Sequence, residues 1–190
     1  MPDFDTLPDI DFVDPVNVVP EGVTADGGLV INDVDTDEDE VLAVMGNKLI
    51  HAGSEAGMGG KVKLVNNMIT GISMIATSEA FLTGLKAGLS METIVEVVGT
   101  SSGNTWVLQN HFPNTVLKNQ HEPGFMLDLM YKDIGLALAL ADDVGVPVPV
   151  AGLARQVYQS GRTAGLGRKD FSVVWKHMAK AAGVHQLAPP

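Results

Sequence analysis

The strongest constraint on the fold is one long helix signal that begins at the glycine-rich stretch GMGGKVKLVNN, residues 57–67. The pattern predicts a helix that runs to about Ala87, where Gly88 ends it. Its apolar members follow the i, i+3, i+4, i+7 spacing of an amphipathic helix and are Val65, Met68, Ile69, Ile72, Ile75 and Ala76. A helix this long must pack against several other elements, and the rest of the chain supplies them.

Helix signals continue to the end of the chain. Ser90 is the predicted N-cap of a second helix, METIVEVVG. A third, TWVLQNHF, ends at Pro113. A long amphipathic helix opens after Pro123 and ends at Gly145. Two more segments, VAGLARQVYQSGRTAGLG and FSVVWKHMAKAAG, the latter capped by Asp170, complete a predicted all-helical bundle over residues 53–190.

Residues 1–52 differ in composition, being rich in Pro, Gly and Asp. Short β-branched runs predict strands in FVDPVNVV, GGLVIN and KLIHAG, with a brief helix over residues 37–45. So few short strands cannot form an independent sheet and must pack against something else. The predicted fold class is therefore mainly α, a helical bundle preceded by a short partial α/β segment.

Charge and composition exclude several classes of function. The net charge is −11, and 13 of the 23 acidic residues lie in residues 1–40, which contain no Lys or Arg, so we expect no nucleic-acid partner. Without cysteine there are no disulfides and no thiolate metal site, and we predict no metal. The N-terminus lacks a secretory signal and no run of about 18 apolar residues occurs. We therefore expect a soluble, cytoplasmic protein with no membrane partner.

The candidate catalytic group is Lys63. Asn67 lies four residues later and Asn66 three, so on a helix both amides sit beside the ammonium and can hold it in one orientation. Such a lysine could exchange a proton with a hydroxyl or carbonyl, and the glycines at 57, 59 and 60 leave room for a ligand at the helix entry. The alternative is an ordinary surface lysine. The stretch fits neither the P-loop pattern nor a dinucleotide fingerprint.

Two later stretches of the sequence bear on whether Lys63 is catalytic or an ordinary surface lysine. Residues 99–113, GTSSGNTWVLQNHFP, place small polar residues near Trp106, and residues 123–139, PGFMLDLMYKDIGLALA, carry Lys132 and Asp133 on an otherwise apolar helix. By itself the Lys132–Asp133 pair is typical of a solvated helix face. Trp106 is expected to lie near the cleft.

Together with GSEAGMGGKVKLVNN, these segments resemble the β-hydroxyacid dehydrogenase family, which includes 3-hydroxyisobutyrate dehydrogenases and tartronate semialdehyde reductases. The family pattern G-x-x-G-x-G-x-x-x-K-x-x-N-N is matched with one residue of spacing difference at its first glycine. GTSSGNTW is similar to the family's Gly-Ser-Ser-Trp-like segment, and FMLDLMYKDIGLA to its F-x-x-x-L-x-x-K-D-L segment. The resemblance extends over residues 48–184.

The resemblance implies a helical domain of the 6-phosphogluconate dehydrogenase C-terminal type that binds substrate and NAD or NADP and forms a homo-oligomer. It implies that Lys63 is the general acid/base for a small 3-hydroxy acid and that Asn67, with Asn66, positions the substrate. Lys132 would lie near the nicotinamide. The implied reaction is reversible hydride transfer between the 3-hydroxy acid and the cofactor.

One part of the family pattern differs here. The family has a complete Rossmann domain before this bundle, and residues 1–52 resemble only its end. Where the family has a substrate-binding Ser-Gly-Gly, this chain has Asn17, Val18 and Val19, of which Asn17 can still donate a hydrogen bond to substrate. Two hypotheses follow: a dehydrogenase part that works with a separate nucleotide-binding chain, or a non-catalytic helical dimerisation module.

Overall fold

The structure is a computed structural model that describes residues 30–31 and 50–184. Within these residues the fold is mainly α, as predicted. The elements in chain order are strands β1 (Val30–Ile31) and β2 (Ile50–His51), and helices α1 (Met58–Lys86), α2 (Met91–Gly99), α3 (Leu127–Asp143), α4 (Pro149–Thr163) and α5 (Val174–Ala181). Helix α1 packs against all four other helices, and α3 packs against α4.

The long helix α1 begins and ends at glycines, as its sequence predicts. Gly57 precedes the first turn with φ +90°, and Gly88 follows the last with φ +93°, so both adopt the left-handed backbone that favours glycine. The buried side of α1 includes Met74, Ser78 and Phe81. By contrast Val65 and Ile69, two members of the predicted apolar spacing, are exposed.

Helix α1 also meets the length and hydropathy criteria for a membrane-crossing helix. Its most apolar 18-residue window has a mean hydropathy of 1.3, and 33% of that window is buried among the described residues. Core helices of water-soluble bundles meet the same criteria. The packing of α1 against the other four helices is the arrangement expected of such a core helix.

The later helices agree with the sequence in type and differ at their ends. Ser90 caps α2 by accepting a hydrogen bond from the Thr93 amide, as predicted. The predicted third helix is an irregular segment, a π-turn over Val107–His111 followed by a 3₁₀ turn over Phe112–Asn114, because proline at position 113 has no N–H to extend an α-helix. Helix α3 starts at Leu127, later than expected, because Met126 pairs with Asp170 in an antiparallel bridge.

A close crossing at Gly71 fixes α3 against α1. A Cβ atom at position 71 would lie 2.7 Å from Ile134 Cδ1 and 2.9 Å from Met130 Sδ, so any larger residue would require the side chains of Ile134 and Met130 to move. The buried Tyr158 hydroxyl donates to the Gly71 carbonyl at 3.0 Å and ties α4 to the same point. This crossing brings Lys132 and Asp133 of α3 beside the N-terminal turns of α1.

The N-terminal part contributes two paired strands. Val30 pairs with Ile50 and Ile31 with His51, in parallel, so short strands lie within the predicted segments GGLVIN and KLIHAG. The strand predicted in FVDPVNVV and the helix predicted over 37–45 lie outside the described residues. β1 packs against α1.

A buried polar network joins the segment before α3 to the segment before α5. Asp170 Oδ1 accepts from the Ser172 amide at 2.9 Å and lies 2.8 Å from His111 Nε2, while Oδ2 accepts from the Phe125 amide at 3.2 Å. Nearby, His121 Nδ1 lies 3.0 Å from the Ser172 hydroxyl oxygen. The predicted cap at Asp170 is thus confirmed, and it also anchors the entry to α3.

The network predicts acid sensitivity. Burial lowers the pKa of His121 below its ordinary value of 6.5, and Lys176 lowers it further, whereas Asp170 acts in the opposite direction. Because the folded state then binds this proton less readily than the unfolded chain does, the free energy of unfolding is unaffected above pH 6.5 and falls as the pH decreases through that value.

We expect the urea midpoint to fall between pH 7.5 and about 5.5 in the wild type, and to fall less in His121→Gln. His51→Gln, which replaces an exposed histidine, is the control and should behave as wild type. Equal pH dependence in all three proteins would refute the assignment to His121.

Candidate active site

The buried carboxylate of Asp133 is the centre of the candidate site. Its side chain is 2% exposed, and three side chains converge on it. Asn67 Nδ2 donates to Oδ2 at 2.8 Å, Lys132 Nζ lies 2.8 Å from Oδ1, and Lys63 Nζ lies 3.7 Å from Oδ2. A buried carboxylate requires such partners to offset its lost hydration. α1 and α3 therefore meet in one charged cluster.

The side chains of two lysines extend from the buried Asp133 carboxylate towards solvent. Lys63 and Lys132 have side chains that are 57% and 53% exposed. At 3.7 Å the Lys63 ammonium is attracted to Asp133 without a hydrogen bond to it, so its N–H groups remain available to a ligand. Lys132, at 2.8 Å, is held directly. The surface presents two cations above one buried anion, and this charge pattern suits an anionic ligand.

Asn66 and Asn67 on α1 form a short chain of hydrogen bonds that ends at Asp133. Asn66 Nδ2 donates to Asn67 Oδ1 at 3.2 Å, and Asn67 Nδ2 donates onward to Asp133. This fixes the orientation of the Asn67 amide, whose second N–H is available for another acceptor. Asn66 is exposed and Asn67 is partly buried. The structure thus brings four predicted site residues around Asp133, since Lys63, Asn66, Asn67 and Lys132 are all in this cluster.

The glycine-rich entry to α1 is sterically open at two of its three glycines. A Cβ at Gly57 or at Gly60 would meet no atom within 4 Å. A ligand near Lys63 could therefore reach the backbone there, as the sequence suggested. Gly59 is buried.

The described contacts do not bring the other predicted residues into this cluster. Asn17, the predicted substrate-binding residue of the N-terminal segment, lies outside the described residues. Trp106 stacks on His111, with ring centroids 6.1 Å apart, and His111 stacks in turn on Phe171 at 4.5 Å. Trp106 therefore belongs to the aromatic stack beside Asp170.

The sequence interpretation missed the role of Asp133. Taken by itself, the Lys132–Asp133 pair was interpreted as part of a solvated helix face. For Asp133 this is wrong because the side chain is buried. A carboxylate on an otherwise apolar helix was the available signal, since an acidic side chain is rarely buried without a partner.

Comparison with known proteins identifies the family of the chain. Residues 57–178 match the family described as NAD-binding of NADP-dependent 3-hydroxyisobutyrate dehydrogenase. The chain is 38% identical over 144 residues to 2-(hydroxymethyl)glutarate dehydrogenase of Eubacterium barkeri, covering 76% of this chain and 48% of that protein. It is 39% identical over 146 residues to the mitochondrial 3-hydroxyisobutyrate dehydrogenase of Drosophila melanogaster, covering 74% and 45%.

Comparison with solved structures indicates the same family. The 3-hydroxyisobutyrate dehydrogenase of Mycobacterium tuberculosis, solved with L-serine, aligns with a TM-score of 0.69 at 32% identity, covering 75% of this chain and 50% of that one. The Salmonella typhimurium enzyme aligns with a TM-score of 0.69 at 27% identity, with the same coverage. The chain spans about half the length of the curated relatives it matches. It belongs to the 3-hydroxyisobutyrate dehydrogenase family.

Proposed function

We propose that this chain is the helical, substrate-binding part of an NAD- or NADP-dependent 3-hydroxy acid dehydrogenase. The observation that carries the proposal is the buried Asp133 carboxylate holding Lys63, Lys132 and Asn67 at one surface. A cluster of this kind is costly to bury, and similar packing could be achieved with apolar side chains. We infer that it is kept for chemistry.

In this proposal Lys63 moves the proton. During oxidation of the 3-hydroxy acid, Lys63 Nζ would take up the hydroxyl proton as the carbonyl forms, and in reduction it would return that proton to the carbonyl oxygen. A nicotinamide cofactor, when bound, would supply the hydride-transfer chemistry. Because Lys63 is not hydrogen-bonded to Asp133, its proton can be directed at the substrate oxygen.

Asn67 and Asp133 keep Lys63 in place. The Asn67 amide is fixed by Asp133, so its second N–H can donate to the substrate next to Lys63. Asn66 supports that amide from the other side, and Asn17 is a further proposed substrate donor in the N-terminal segment. Asp133 acts through these groups and is a positioning residue.

The described residues fit only one end of the cofactor. Lys132 is held by Asp133 with its side chain half exposed, and in this proposal it would lie at the nicotinamide side of the cleft. The glycine-rich turn between β2 and α1 lacks the G-x-G-x-x-G pattern that holds a pyrophosphate, and no other described turn has it. A separate nucleotide-binding chain, or another copy of this chain, would supply that contact. On this view residues 1–52 are the end of a Rossmann domain and residues 53–190 the bundle.

The substrate class follows from the charges and the relatives. Names among the relatives include dehydrogenases of 2-(hydroxymethyl)glutarate, 3-hydroxyisobutyrate and L-threonate. In each compound a hydroxyl group lies on the carbon β to a carboxylate. The exposed Lys63 and Lys132 ammoniums could bind such an acid while Lys63 contacts the hydroxyl. We place the activity in the cytoplasm, in a soluble protein.

Binding of L-serine and 3-hydroxyisobutyrate, followed by NMR of the ¹⁵N-labelled chain, tests the proposal. We expect saturable shifts at residues around Lys63 and about a tenfold weaker affinity in Asp133→Asn, because Asn67 and both lysines lose the charge that orients them. Asp142→Asn, an exposed position on the same helix, is the control and should bind as wild type.

The alternative function is a non-catalytic helical dimerisation module. It is favoured if the wild type shows no shifts at millimolar ligand with NADH or NADPH present, or if Asp133→Asn binds as tightly as the wild type. The fold of each variant is checked by urea denaturation, so that loss of binding is not confused with unfolding.

A further inference from the structure

Two arginines of α4 contact the same tyrosine ring of α3. The Arg155 Cζ atom lies 4.1 Å from the centroid of the Tyr131 ring, and the Arg162 Cζ atom lies 4.3 Å from it. Both distances are within the range of cation–π attraction. Because the two arginines are separated by about two turns of α4, the ring lies between their guanidinium groups. Two positive charges are therefore held close together in the groove between α3 and α4.

The two arginines differ in their partners. Arg162 Nε donates to Asp128 Oδ1, and Arg162 Nη1 donates to Gln159 Oε1 at 3.2 Å. Arg155 has neither a carboxylate nor a hydrogen-bond acceptor within the part of the chain that the structure describes. An arginine side chain does not lose its proton in a protein. The charge on Arg162 is thus offset by Asp128, whereas the charge on Arg155 has only the Tyr131 ring beside it.

The position of the Arg155 guanidinium depends on a glycine of α3. A Cβ atom at Gly135 would lie 3.0 Å from Arg155 Nε and 3.3 Å from Nη2, so the guanidinium uses the space that the missing side chain leaves. This placement buries Nε without a hydrogen-bond partner, which is unfavourable for a donor. The two Nη atoms are not buried. The fold therefore holds this guanidinium in one place with its outer N–H groups free.

The Arg155–Tyr131–Arg162 cluster lies on a different side of α3 from the candidate active site. Tyr131 and Asp133 are separated by about 200° around the helix axis. Tyr131 contacts α4 through the two arginines, whereas Asp133 contacts α1 through the hydrogen bond from Asn67. A ligand held by Arg155 would therefore lie in the α3–α4 groove and leave the Asp133 cluster free.

We propose that Arg155 binds the carboxylate group of a small organic acid in the groove between α3 and α4. Its free Nη groups form a planar fork that matches the two oxygens of a carboxylate. Two guanidinium groups and the Asp128 carboxylate leave one net positive charge at the cluster. A monocarboxylate neutralises that charge, whereas phosphate, with nearly two negative charges near neutral pH, exceeds it. Tyr131 and Arg162 keep the fork in place.

The arginine Nε–H signals in NMR spectra of the ¹⁵N-labelled chain test the proposal, because the chain has only three arginines, at positions 155, 162 and 168. Acetate is titrated against chloride at constant ionic strength and pH 7.5, and Arg155→Lys assigns the Arg155 signal by its loss. We expect this signal to shift saturably, with a dissociation constant on the order of 1 mM, as two charge-assisted hydrogen bonds allow. The exposed Arg168 is the internal control, and its signal should shift no more than it does with chloride.

Inorganic phosphate, titrated in the same way, tests the ligand class. We expect it to bind at least about threefold more weakly than acetate, because its second charge is repelled by Asp128. The proposal is wrong if the Arg155 signal responds to acetate no more than the Arg168 signal does. Phosphate that binds as tightly as acetate would overturn the assignment to a carboxylate.

A glycine variant tests the geometry of the site without removing the arginine. Gly135→Ala places a methyl group against Arg155 Nε and displaces the guanidinium, so acetate should bind about threefold to tenfold more weakly, as for the loss of one hydrogen bond. Gly152→Ala on α4, where an added Cβ has no packing partner within 4 Å, is the matched control and should bind as wild type. Urea midpoints show that both variants fold. Equal acetate affinity in the two variants would contradict a site formed by the guanidinium over Gly135.

Discussion

Replacing Lys63 by alanine should lower the turnover of a 3-hydroxy acid by about 100- to 10,000-fold, the usual contribution of a general acid or base. Folding should be nearly unchanged, because Lys63 is 57% exposed and its ion pair with Asp133 spans 3.7 Å. Such pairs contribute at most about 1 kcal/mol. The measurements are kcat of the assembled enzyme with NAD or NADP, and helical circular dichroism.

Two further variants distinguish a role of Lys63 in proton transfer from a purely electrostatic role. Lys63→Arg keeps a cation beside Asp133 but cannot give up its proton near neutral pH, so it should be as inactive as the alanine variant. Lys180→Ala, an exposed lysine on α5, should retain full activity. If Lys63→Arg keeps more than about a tenth of wild-type kcat, the role of Lys63 is electrostatic and the proton-transfer role is wrong. Lost helical circular dichroism in Lys63→Ala would make Lys63 structural.

The candidate site was only partly predictable from the sequence, for a reason of distance along the chain. Lys63 and Asn67 are four residues apart, so helix geometry alone placed them on one face. The hydrogen bond from Asn67 to Asp133 joins residues that are 66 positions apart. That contact depends on the crossing of α1 and α3 at Gly71, where a missing side chain allows the approach, and local periodicity contains no information about it.

The helices themselves were predictable where local signals are strong. Gly57, Gly88 and Ser90 mark helix ends through their own backbone or side-chain chemistry, and the structure agrees at all three. The buried face of α1 was harder to predict. This helix is apolar on nearly every side, so the spacing that includes Ile69 fits a helix without selecting its core face. The core face is set by contacts with α3 and α4.

Replacing Asp170 by alanine should lower the free energy of unfolding by about 3–5 kcal/mol, because several groups lose their hydrogen-bond partner and each loss costs about 1–3 kcal/mol. Asp170 is 1% exposed. Burial alone would raise the pKa of this carboxyl, but hydrogen bonds from His111 and Ser172 outweigh it and hold the pKa below its ordinary value. Without the carboxylate, the Phe125 and Ser172 amides lose their acceptor, and His111 loses its partner.

Urea denaturation at pH 7.5 measures this loss of stability, and two further variants serve as comparisons. Asp143→Ala removes an exposed carboxylate at the end of α3, where acids interact unfavourably with the helix dipole, so its stability should stay within about 0.5 kcal/mol of wild type. Asp170→Asn keeps an acceptor for only one of the two amides, because Ser172 and Phe125 bond to different carboxylate oxygens, and it should still cost less than the alanine variant. If Asp170→Ala unfolds at the same urea concentration as Asp143→Ala, the network does not anchor α3. The cluster at Asp133 would then depend on the α1–α3 crossing alone.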